Sequence, residues 1–295
     1  MRLPISVRLL TLNEGAHLAE LLPSLRGRVA EVVIVDSFSS DDTVDVALCH
    51  GAKVVQRRFT TFGDQWNFAL TLPTVQPWTM KLDPDERISE ELYDELKQVV
   101  PTEGGPAGYT VPLRLWFMGK PLHVKMRKLR LWRSGSCRFS DVLVNEHADV
   151  PGEKGRLRGH LEHLDSTDLH HWADKQNYYS SMEAITAFEG RQLAAEPRFW
   201  GSTLQRRMWF KKHFLRIPFR YQLLWLGLLF FSGAWRDGKC GRAWTQMRIY
   251  TRRMREFKLL EMQNSGKRIE LPPRRVGKPD PRVTQAVSGA SPSEE

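Results

Sequence analysis

The first hundred residues alternate between short apolar strands and amphipathic helices, and this alternation constrains the fold more than any other feature. The apolar runs ISVRLLTLN, AEVVIVD, GAKVVQR and PWTMKLD are each followed by a segment with apolar residues at helical spacing. Strands that are apolar on both faces and followed by helices are typical of a mostly parallel sheet that is covered on both sides. The sequence therefore predicts an α/β fold with helices on both faces of the sheet.

The remainder of the chain divides into three parts by composition. Two further strand-like runs, YTVPLRLWFMGK and KLRLWRSGSCRFS, complete a mixed sheet, and we place the end of this domain at residue 165. Residues 166–262 are predicted to form a helical region with many basic and aromatic side chains. Residues 263–295 are rich in Pro, Arg, Gly and Ser, a composition that predicts a disordered tail.

Polar residues follow each of the first four predicted strands. Ligands of parallel α/β sheets bind beyond the carboxyl ends of the strands, so residues at these positions share one edge of the sheet. We expect a single cleft there, formed by Asn13 and Glu14, residues 36–42, Arg57 and Arg58, and residues 83–87.

The segment MKLDPDER places Asp83 and Asp85 at the end of the fourth strand. Carboxylates spaced as Asp-x-Asp on a tight turn supply the hard oxygen ligands that Mg²⁺ or Mn²⁺ prefers. Such charges are costly at the end of a buried strand unless a cation joins them, and a divalent ion that bridges to a diphosphate does so. The alternative is a solvated turn whose acidic residues favour the start of the next helix.

Several ordered motifs resemble the family 2 inverting glycosyltransferases with the GT-A fold, and within them the lipopolysaccharide core β-1,4-glucosyltransferase group. The matching stretches are ISVRLLTLNE, EVVIVDSFSSDDTVDVA, GAKVVQRRFTTFGDQWNFAL, MKLDPDERISEEL and FSDVLVNEH. The resemblance implies metal-dependent transfer of a hexose, glucose from UDP-glucose, to a saccharide of a membrane-anchored glycan such as lipopolysaccharide core. It implies Mg²⁺ or Mn²⁺ as the cofactor.

The resemblance also assigns roles to individual residues. Asp85 becomes the principal metal ligand, with Asp83 beside it and His163 as a third ligand; the alternative for His163 is a structural or exposed histidine. The chain departs from the family at Trp66, where Arg or Lys is common, and at Phe38, where Gly is common. The positions implied to contact the nucleotide sugar are Asn13, Glu14, Asp36, Gln65, Asn67 and Asp83.

Two carboxylates in RFSDVLVNEH are candidates for the catalytic base. An inverting transfer needs one carboxylate to accept the proton of the acceptor hydroxyl as that hydroxyl attacks the anomeric carbon. Asp141 and Glu146 both qualify. We favour Asp141, because Asn145 stands where the family usually has His beside the position of Glu146.

The segment from Arg198 to Trp235 interleaves Arg and Lys with Trp and Phe, and the whole chain has a formal net charge of +10. Basic and aromatic helices of this kind lie in the interface of anionic membranes. The apolar stretch from Tyr221 to Trp235 is shorter than the ~20 residues that span a bilayer. Alternatively, the region packs as a core helix against the sheet. No nucleic-acid-binding module is recognisable, so we expect no nucleic-acid partner.

Cysteine usage and the first residues bear on localisation. The 3 cysteines are odd in number and widely spaced, which favours a reducing compartment. The opening MRLPISVRLLTLNEG does not resemble a signal peptide. We expect a cytoplasmic protein on the cytoplasmic face of the inner membrane. Two alternatives are a nucleotidyltransferase, which normally has a Gly-rich loop after its first strand, and a non-enzymatic adaptor that binds membrane or nucleic acid.

Overall fold

The alternation of strands and helices in the sequence is present in the structure, a computed structural model of the chain. Ser89 and Thr61 cap two of the helices, because their hydroxyls accept hydrogen bonds from Leu92 N and Asp64 N. The structure describes residues 2–102, 104–142, 146–166, 168–191, 193–272 and 275–286, with Leu215 described in its backbone only. The first elements are β1 (Leu3–Thr11), α1 (Gly15–Leu25), β2 (Val29–Asp36), α2 (Thr43–Cys49), β3 (Lys53–Arg57), α3 (Phe62–Thr71), β4 (Trp78–Lys81), β5 (Glu86–Ile88) and α4 (Glu90–Val99).

The second half of the sheet is built from shorter strands. Their bounds are β6 (Gly108–Phe117), β7 (Lys120–Pro121), β8 (Met126–Arg133), β9 (Arg138–Phe139), β10 (Ala148–Asp149), β11 (Lys154–Arg156) and β12 (Leu161–His163). The chain then forms the helical region, which we define as residues 168–265. It contains α5 (Leu169–Phe188), α6 (Thr203–His213), α7 (Arg220–Leu226) and α8 (Gly238–Ser265), and a last strand, β13 (Thr284–Ala286), follows it.

The sheet is mixed, and its strand order is β13-β3-β2-β1-β4-β8-β6-β12-β5. β1 lies between β2 and β4 and is parallel to both, with Thr11 opposite Asp36 and Arg8 opposite Lys81. β8 runs antiparallel to β4 and β6. Since β1, β2 and β4 end at the same edge, the polar residues that follow them meet there, as the strand pattern predicted.

The main core lies between the sheet and the helices that cover it, and apolar side chains of β1, β4 and α1 such as Ile5, Trp78 and Leu21 are fully buried in it. A smaller cluster attaches the helical region to the end of β6. In this cluster Phe117 and Leu122 pack with Trp172, Leu229 and Trp244. The helical region is therefore anchored to the sheet by apolar contacts, part of which come from the apolar stretch that precedes Trp235.

Residues 275–286, which were predicted to belong to a disordered tail, are packed against the sheet in the structure. We call this segment the C-terminal strap. β13 pairs in parallel with β3, Val283 is buried, and Gly277 N donates to Phe38 O at 2.6 Å. The composition of this segment was misleading, because its order comes from pairing with a sheet edge more than 200 residues earlier in the chain. Residues 287–295 lie outside the described residues.

Within the described residues, no helix combines the length and the apolar character that crossing a lipid bilayer requires.

Candidate active site

A cavity of about 520 Å³ opens at the carboxyl ends of β1 and β4. Its lining combines acidic side chains, cations and aromatic rings. Because these groups come from the sheet, from the loop after β9 and from α5, the cavity lies where the sheet meets the helical region. The lining includes Thr11, Glu14, Ser37, Phe62, Trp66, Lys81, Asp83, Asp85, Lys128, Glu146, His163, Asp165, Lys175 and Tyr179.

The turn from Asp83 to Glu86 directs acidic side chains to this cavity. Glu86 N donates to Asp83 O at 2.9 Å and closes the turn, and Asp83 N donates to Glu86 Oε2 at 3.0 Å. Both Asp83 and Asp85 line the cavity, whereas Glu86 is fully buried beneath it. The predicted convergence of the Asp-x-Asp pair on a cleft at the sheet edge is thus what the structure has.

A buried arginine balances two of these carboxylates. Arg130 donates to Asp83 Oδ2 at 2.8 Å and also pairs with Glu86. Burial by itself would raise the pKa of Asp83, but the charges of Lys81 and Arg130 outweigh it and hold that pKa well below its usual range. Asp83 is therefore a carboxylate whose charge is already paired with protein cations.

A second group of acidic side chains surrounds His163. Antiparallel pairing of β12 with β5 places His163 opposite Glu86, and Leu164 N donates to Asp85 O at 2.8 Å. One ligand atom from each of Asp85, His163 and Asp165 lies within 4.8 Å of the others. Two carboxylates and an imidazole at this spacing can hold a divalent cation.

Two atoms of this group support that assignment. Asp85 Oδ1 and His163 Nδ1 are buried and lie 3.7 Å apart, and His163 Nδ1 is 3.5 Å from Glu86 Oε1, but neither atom makes a hydrogen bond among the described residues. Buried polar atoms are rarely left unpaired, so a ligand that contacts both of them fits the site. The donor set Asp85, His163 and Asp165 thus suits Mg²⁺ or Mn²⁺, and Asp165 rather than Asp83 completes it.

Lys175, on α5, supplies positive charge to the same group. Its Nζ lies 2.8 Å from Asp165 Oδ1 and 3.2 Å from Asp85 Oδ2. Burial would raise the pKa of Asp165, but the His163 imidazole, whose Nε2 lies 3.7 Å from Asp165 Oδ1, and the charge of Lys175 keep that pKa well below its usual range. Burial opposes the charged form of His163, yet Asp165, Glu86 and Asp85 raise its pKa to about 10.

Of the two candidate bases, the structure brings Glu146 into the cavity and leaves Asp141 outside its lining. Lys81 Nζ donates to Glu146 Oε1 at 3.0 Å and lies 4.1 Å from the centre of the Trp66 ring. Asp141 is exposed and accepts a hydrogen bond from Thr61 Oγ1 at 3.1 Å. Asn145, on which the preference for Asp141 depended, lies outside the described residues.

The residues predicted to contact the nucleotide occupy different environments. Asp36 is fully buried, and its carboxylate accepts hydrogen bonds from Thr11 Oγ1 at 2.9 Å, from Gln56 Nε2 at 2.9 Å and from Ser39 N at 2.9 Å. It therefore organises the loop that carries Ser37, which lines the cavity. Glu14 also lines the cavity and lies 2.7 Å from His17 Nδ1.

Asn13 joins the ends of β1 and β2 to the C-terminal strap. It has a positive φ of 58°, a conformation that Asn tolerates better than most residues. Its Nδ2 donates to Arg275 O at 3.0 Å, and its Oδ1 accepts from Ser40 N at 2.8 Å. The side chain of Asn13 is thus engaged with the rim of this sheet edge.

Two residues of α3 that were predicted to contact the nucleotide sugar form hydrogen bonds with other residues of the chain. Gln65 is fully buried, and its Oε1 accepts from Arg57 Nη1 at 2.7 Å. Asn67 pairs with the backbone of Phe139, donating to its O at 2.9 Å and accepting from its N at 2.8 Å. The structure does not bring Asn67 to the cavity that holds Asp83 and Asp85, because both of its polar atoms join α3 to β9.

The sequence reasoning missed several polar residues of this site. Asp165 follows His163 by two positions in HLEHLD, a spacing that could have indicated a pair of ligands. Lys175 and Tyr179 stand one turn apart on α5 and carried no recognisable signal. Burial, with a smaller effect from nearby carboxylates, raises the pKa of Tyr179 to about 12, so this hydroxyl is a hydrogen-bond donor at neutral pH.

Comparison with known proteins agrees with this arrangement. Residues 6–150 match the family model for Glycosyl transferase family 2. The mannosyltransferase PcManGT from Pyrobaculum calidifontis, solved with GDP-Man and Mn²⁺, has a TM-score of 0.52 with 17% identity and covers 88% of either chain, which shows a common fold. The molecule is therefore a glycosyltransferase with the GT-A fold.

Two relatives extend the similarity beyond the family domain. An uncharacterized glycosyltransferase of Rickettsia typhi is 28% identical over 217 residues, which cover 66% of this chain and 74% of the relative. The lipopolysaccharide core biosynthesis glycosyltransferase LpsC of Rhizobium meliloti is 29% identical over 251 residues, covering 81% and 86%. Residues 6–150 of the chain therefore form a domain that matches glycosyl transferase family 2. The nucleotidyltransferase and the non-enzymatic adaptor are accordingly set aside, and the predicted family, fold class and enzyme class are confirmed.

Proposed function

We propose that this protein is a metal-dependent inverting glycosyltransferase that moves a hexose, glucose from UDP-glucose, to a saccharide of a membrane-anchored glycan such as lipopolysaccharide core. The observation that carries the proposal is the grouping of Asp85, His163 and Asp165 in the cavity that also contains Glu146. LpsC, whose name refers to lipopolysaccharide core biosynthesis, supports the choice of acceptor.

The cation site would be formed by Asp85, His163 and Asp165, with Asp83 at its border. A divalent ion bound there supplies positive charge for the diphosphate of the donor and for the nucleoside diphosphate that leaves. Lysine side chains would add positive charge next to the same diphosphate, since Lys81, Lys128 and Lys175 all line the cavity. Thr11 and Ser37 form the wall next to β1 and β2 and are placed to contact the nucleoside.

Glu146 is the residue to which we assign the role of base. Its carboxylate accepts the proton of the acceptor hydroxyl while the hydroxyl oxygen forms a bond to the anomeric carbon and the bond to the diphosphate oxygen breaks. Attack from the side opposite the leaving group inverts the configuration. Lys81 orients the Glu146 carboxylate through the 3.0 Å hydrogen bond.

The helical region gives the protein a surface suited to the cytoplasmic face of the inner membrane. Trp200 and Phe231 are 93% and 88% exposed, and the exposed cations Arg206 and Lys212 lie on α6, between them in the chain. Exposed aromatic side chains among cations are typical of membrane-interface segments. A membrane-bound acceptor would then meet the cavity from the side of the helical region.

The test is an assay of donor and metal dependence with purified protein. UDP-glucose, other UDP-sugars and GDP-mannose are supplied with lipopolysaccharide core acceptor, with and without Mn²⁺ or Mg²⁺, and release of nucleoside diphosphate is measured. Asp85→Asn should lower transfer at least a hundredfold and weaken Mn²⁺ binding in calorimetry. Asp94→Asn, which changes an exposed carboxylate on α4, should leave both unchanged.

Three outcomes would contradict the proposal. Transfer that persists at full rate in the presence of a chelator would contradict the metal dependence. Transfer by Asp85→Asn at the rate of the unaltered protein would contradict the assignment of Asp85 as a metal ligand. Retention of the donor's anomeric configuration in the product, observed by NMR, would contradict the inverting mechanism.

A further inference from the structure

A second cavity, of about 720 Å³, lies within the helical region between α5, α6 and α8. It contributes nothing to the cation site described above. Its described lining includes the cations Arg191, Lys211, Lys212 and Arg255, together with the apolar side chains of Leu193, Pro197, Phe214 and Leu259. Cations around a concave surface of this size are suited to an anionic ligand.

The carboxylates that line this cavity are largely engaged elsewhere. Glu256 pairs with Arg220 at 3.1 Å, and Glu196 pairs with Arg198 at 2.7 Å. Glu183 lies between Lys211 and Arg255, but its oxygens are 3.8 Å and 3.5 Å from their nitrogens, which are long contacts for ion pairs. Among the described residues, Lys211 and Arg255 are therefore only loosely matched by an acidic side chain, whereas Arg191 pairs closely with Glu189.

Several cations at this cavity are partly buried close to one another, an environment that favours binding of an anion. Burial, followed by the repulsion of Arg255 and Arg252, lowers the pKa of Lys211 even though Glu183 opposes this. Burial also lowers the pKa of Arg252, and Arg255 and Arg248 add to that effect. Arg255 Nε is buried without a hydrogen-bond partner among the described residues. An anion bound here would satisfy that donor and neutralise the mutual repulsion.

Two helices connect this cavity with the active site. On α5, Lys175 and Tyr179 line the active-site cavity, whereas Glu183 and Thr186 line the second one. Residues at spacings of three or four share one face of a helix, and the eight residue steps from Lys175 to Glu183 span about 12 Å. The two cavities thus open on one continuous face of α5.

The second connection is made by α6. Arg207 lies one turn before Lys211, and its charge helps to lower the pKa values of Lys128 and His147, although burial is the larger cause for both. Lys128 lines the active-site cavity. Positive charge therefore continues from Lys128 through Arg207 to Lys211 and Arg255, a path along which an extended saccharide can lie.

We propose that the second cavity is an acceptor subsite for a phosphate group that the acceptor saccharide carries some sugar units away from the reacting hydroxyl. This inference rests on the proposed function, because that function makes a saccharide the ligand of the active site. A phosphate suits the cavity because its oxygens can accept from an arginine and a lysine at once. Phosphate recognition here would position the acceptor, while the chemistry stays at Glu146.

The test compares binding of two oligosaccharides by calorimetry at fixed ionic strength. Core oligosaccharide released from lipopolysaccharide by mild acid is used intact and after removal of its phosphates. The unaltered protein should bind the intact form at least tenfold more tightly. Lys211→Gln with Arg255→Gln should reduce this preference to less than twofold, and Arg207→Gln alone, an exposed change that leaves the fold intact, should reduce it in part.

Matched controls separate this subsite from general charge. Lys239→Gln with Arg242→Gln removes two exposed cations from α8 and should leave the preference unchanged. Binding of UDP with Mn²⁺ should be the same in every variant. The proposal is overturned if the unaltered protein does not distinguish the two oligosaccharides, or if the control variant loses the preference to the same extent.

A lipid headgroup is a different source of phosphate, and it is tested separately. Sedimentation with vesicles of phosphatidylglycerol and phosphatidylcholine should give equal binding for the unaltered protein and for Lys211→Gln with Arg255→Gln. Weaker vesicle binding with unchanged oligosaccharide preference would assign the cavity to lipid and overturn the proposal. If the donor assay fails but the preference is observed, the proposed function is wrong while the phosphate site stands.

Discussion

The sheet and the helical region differ in how closely their charged side chains are paired and in how many large apolar side chains they expose. At the sheet edge, the buried cations Arg130 and Arg57 have close partners, since Arg130 contacts Asp83 at 2.8 Å and Arg57 contacts Asp64 at 2.6 Å. In the helical region, the contacts of Lys211 and Arg255 with Glu183 are longer, at 3.8 Å and 3.5 Å. Among the described residues, Val75 and Met118 are the exposed large apolar side chains that precede the helical region, whereas most of the others lie within it.

This difference indicates a division of labour within one chain. Closely paired charges form a rigid frame that can hold a nucleotide sugar and a cation in fixed positions, which catalysis requires. Loosely paired cations and exposed aromatic rings leave interactions open for a partner outside the chain. The proposed function accordingly assigns the chemistry to the sheet edge, and it assigns contact with the acceptor and the membrane to the helical region.

The largest effect should come from removing a buried cation of the sheet. Arg130→Met leaves Glu86 and Asp83 without their partner and should destabilise the fold by about 3–5 kcal/mol. Arg255→Met, its counterpart in the helical region, should change stability by less than about 1 kcal/mol, because its ion pair is long and its neighbours are cations. Denaturation with urea measures both, and equal losses would abolish the contrast between the two regions.

The next effect concerns catalysis at the sheet edge. Glu146→Gln should lower the rate of transfer about a hundredfold with little change in donor binding, because an amide cannot accept the proton of the acceptor hydroxyl. Asp141→Asn should lower it by less than about threefold, since Asp141 lies outside the lining of the cavity. Steady-state kinetics on the two variants decides between them, and the reverse order of effects would restore Asp141 as the base.

A smaller effect should follow from a change in the C-terminal strap, the segment that returns from the helical region to the sheet. A Cβ at Gly277 would overlap the Ser39 carbonyl oxygen, so Gly277→Ala should cost about 1–3 kcal/mol. Gly266→Ala is unsuitable as a control because its φ is +66°. Gly227→Ala, which meets open space on a helix, should be neutral or stabilising. A neutral Gly277→Ala would show that the strap is not held against the sheet.

The smallest effect should appear at the exposed surface of the helical region. Trp200→Ala with Phe231→Ala should weaken binding to anionic vesicles about tenfold and leave the melting temperature unchanged, because these rings are exposed. Val75→Ala removes a side chain that is 93% exposed before the helical region and should not alter vesicle binding. If both variants bind like the unaltered protein, the membrane assignment fails while the enzyme assignment is unaffected.

Local patterns predicted much of the sheet and part of the site. The four apolar runs are the strands β1 to β4, and the segments between them are helices, because periodicity and turn residues act over a few positions. Asp83 and Asp85 lie in the cavity for the same reason, as they end a strand whose neighbours are parallel. Asn67 is different: its position on α3 was predicted, but its pairing with Phe139 depends on a strand 72 residues away.

The sequence alone determined the family, the alternation of strands and helices, and the acidic turn at the sheet edge, since each is written in residues that are close together in the chain. His163 was predicted beside Asp85 from the family resemblance, but only the tertiary structure decided that Asp165 and Lys175 join them and that Glu146 rather than Asp141 lines their cavity. Those neighbours are set by the pairing of β12 with β5 and by the docking of α5, which close loops of about 75–90 residues. Long-range closure depends on the whole core, so local patterns along the chain do not determine it.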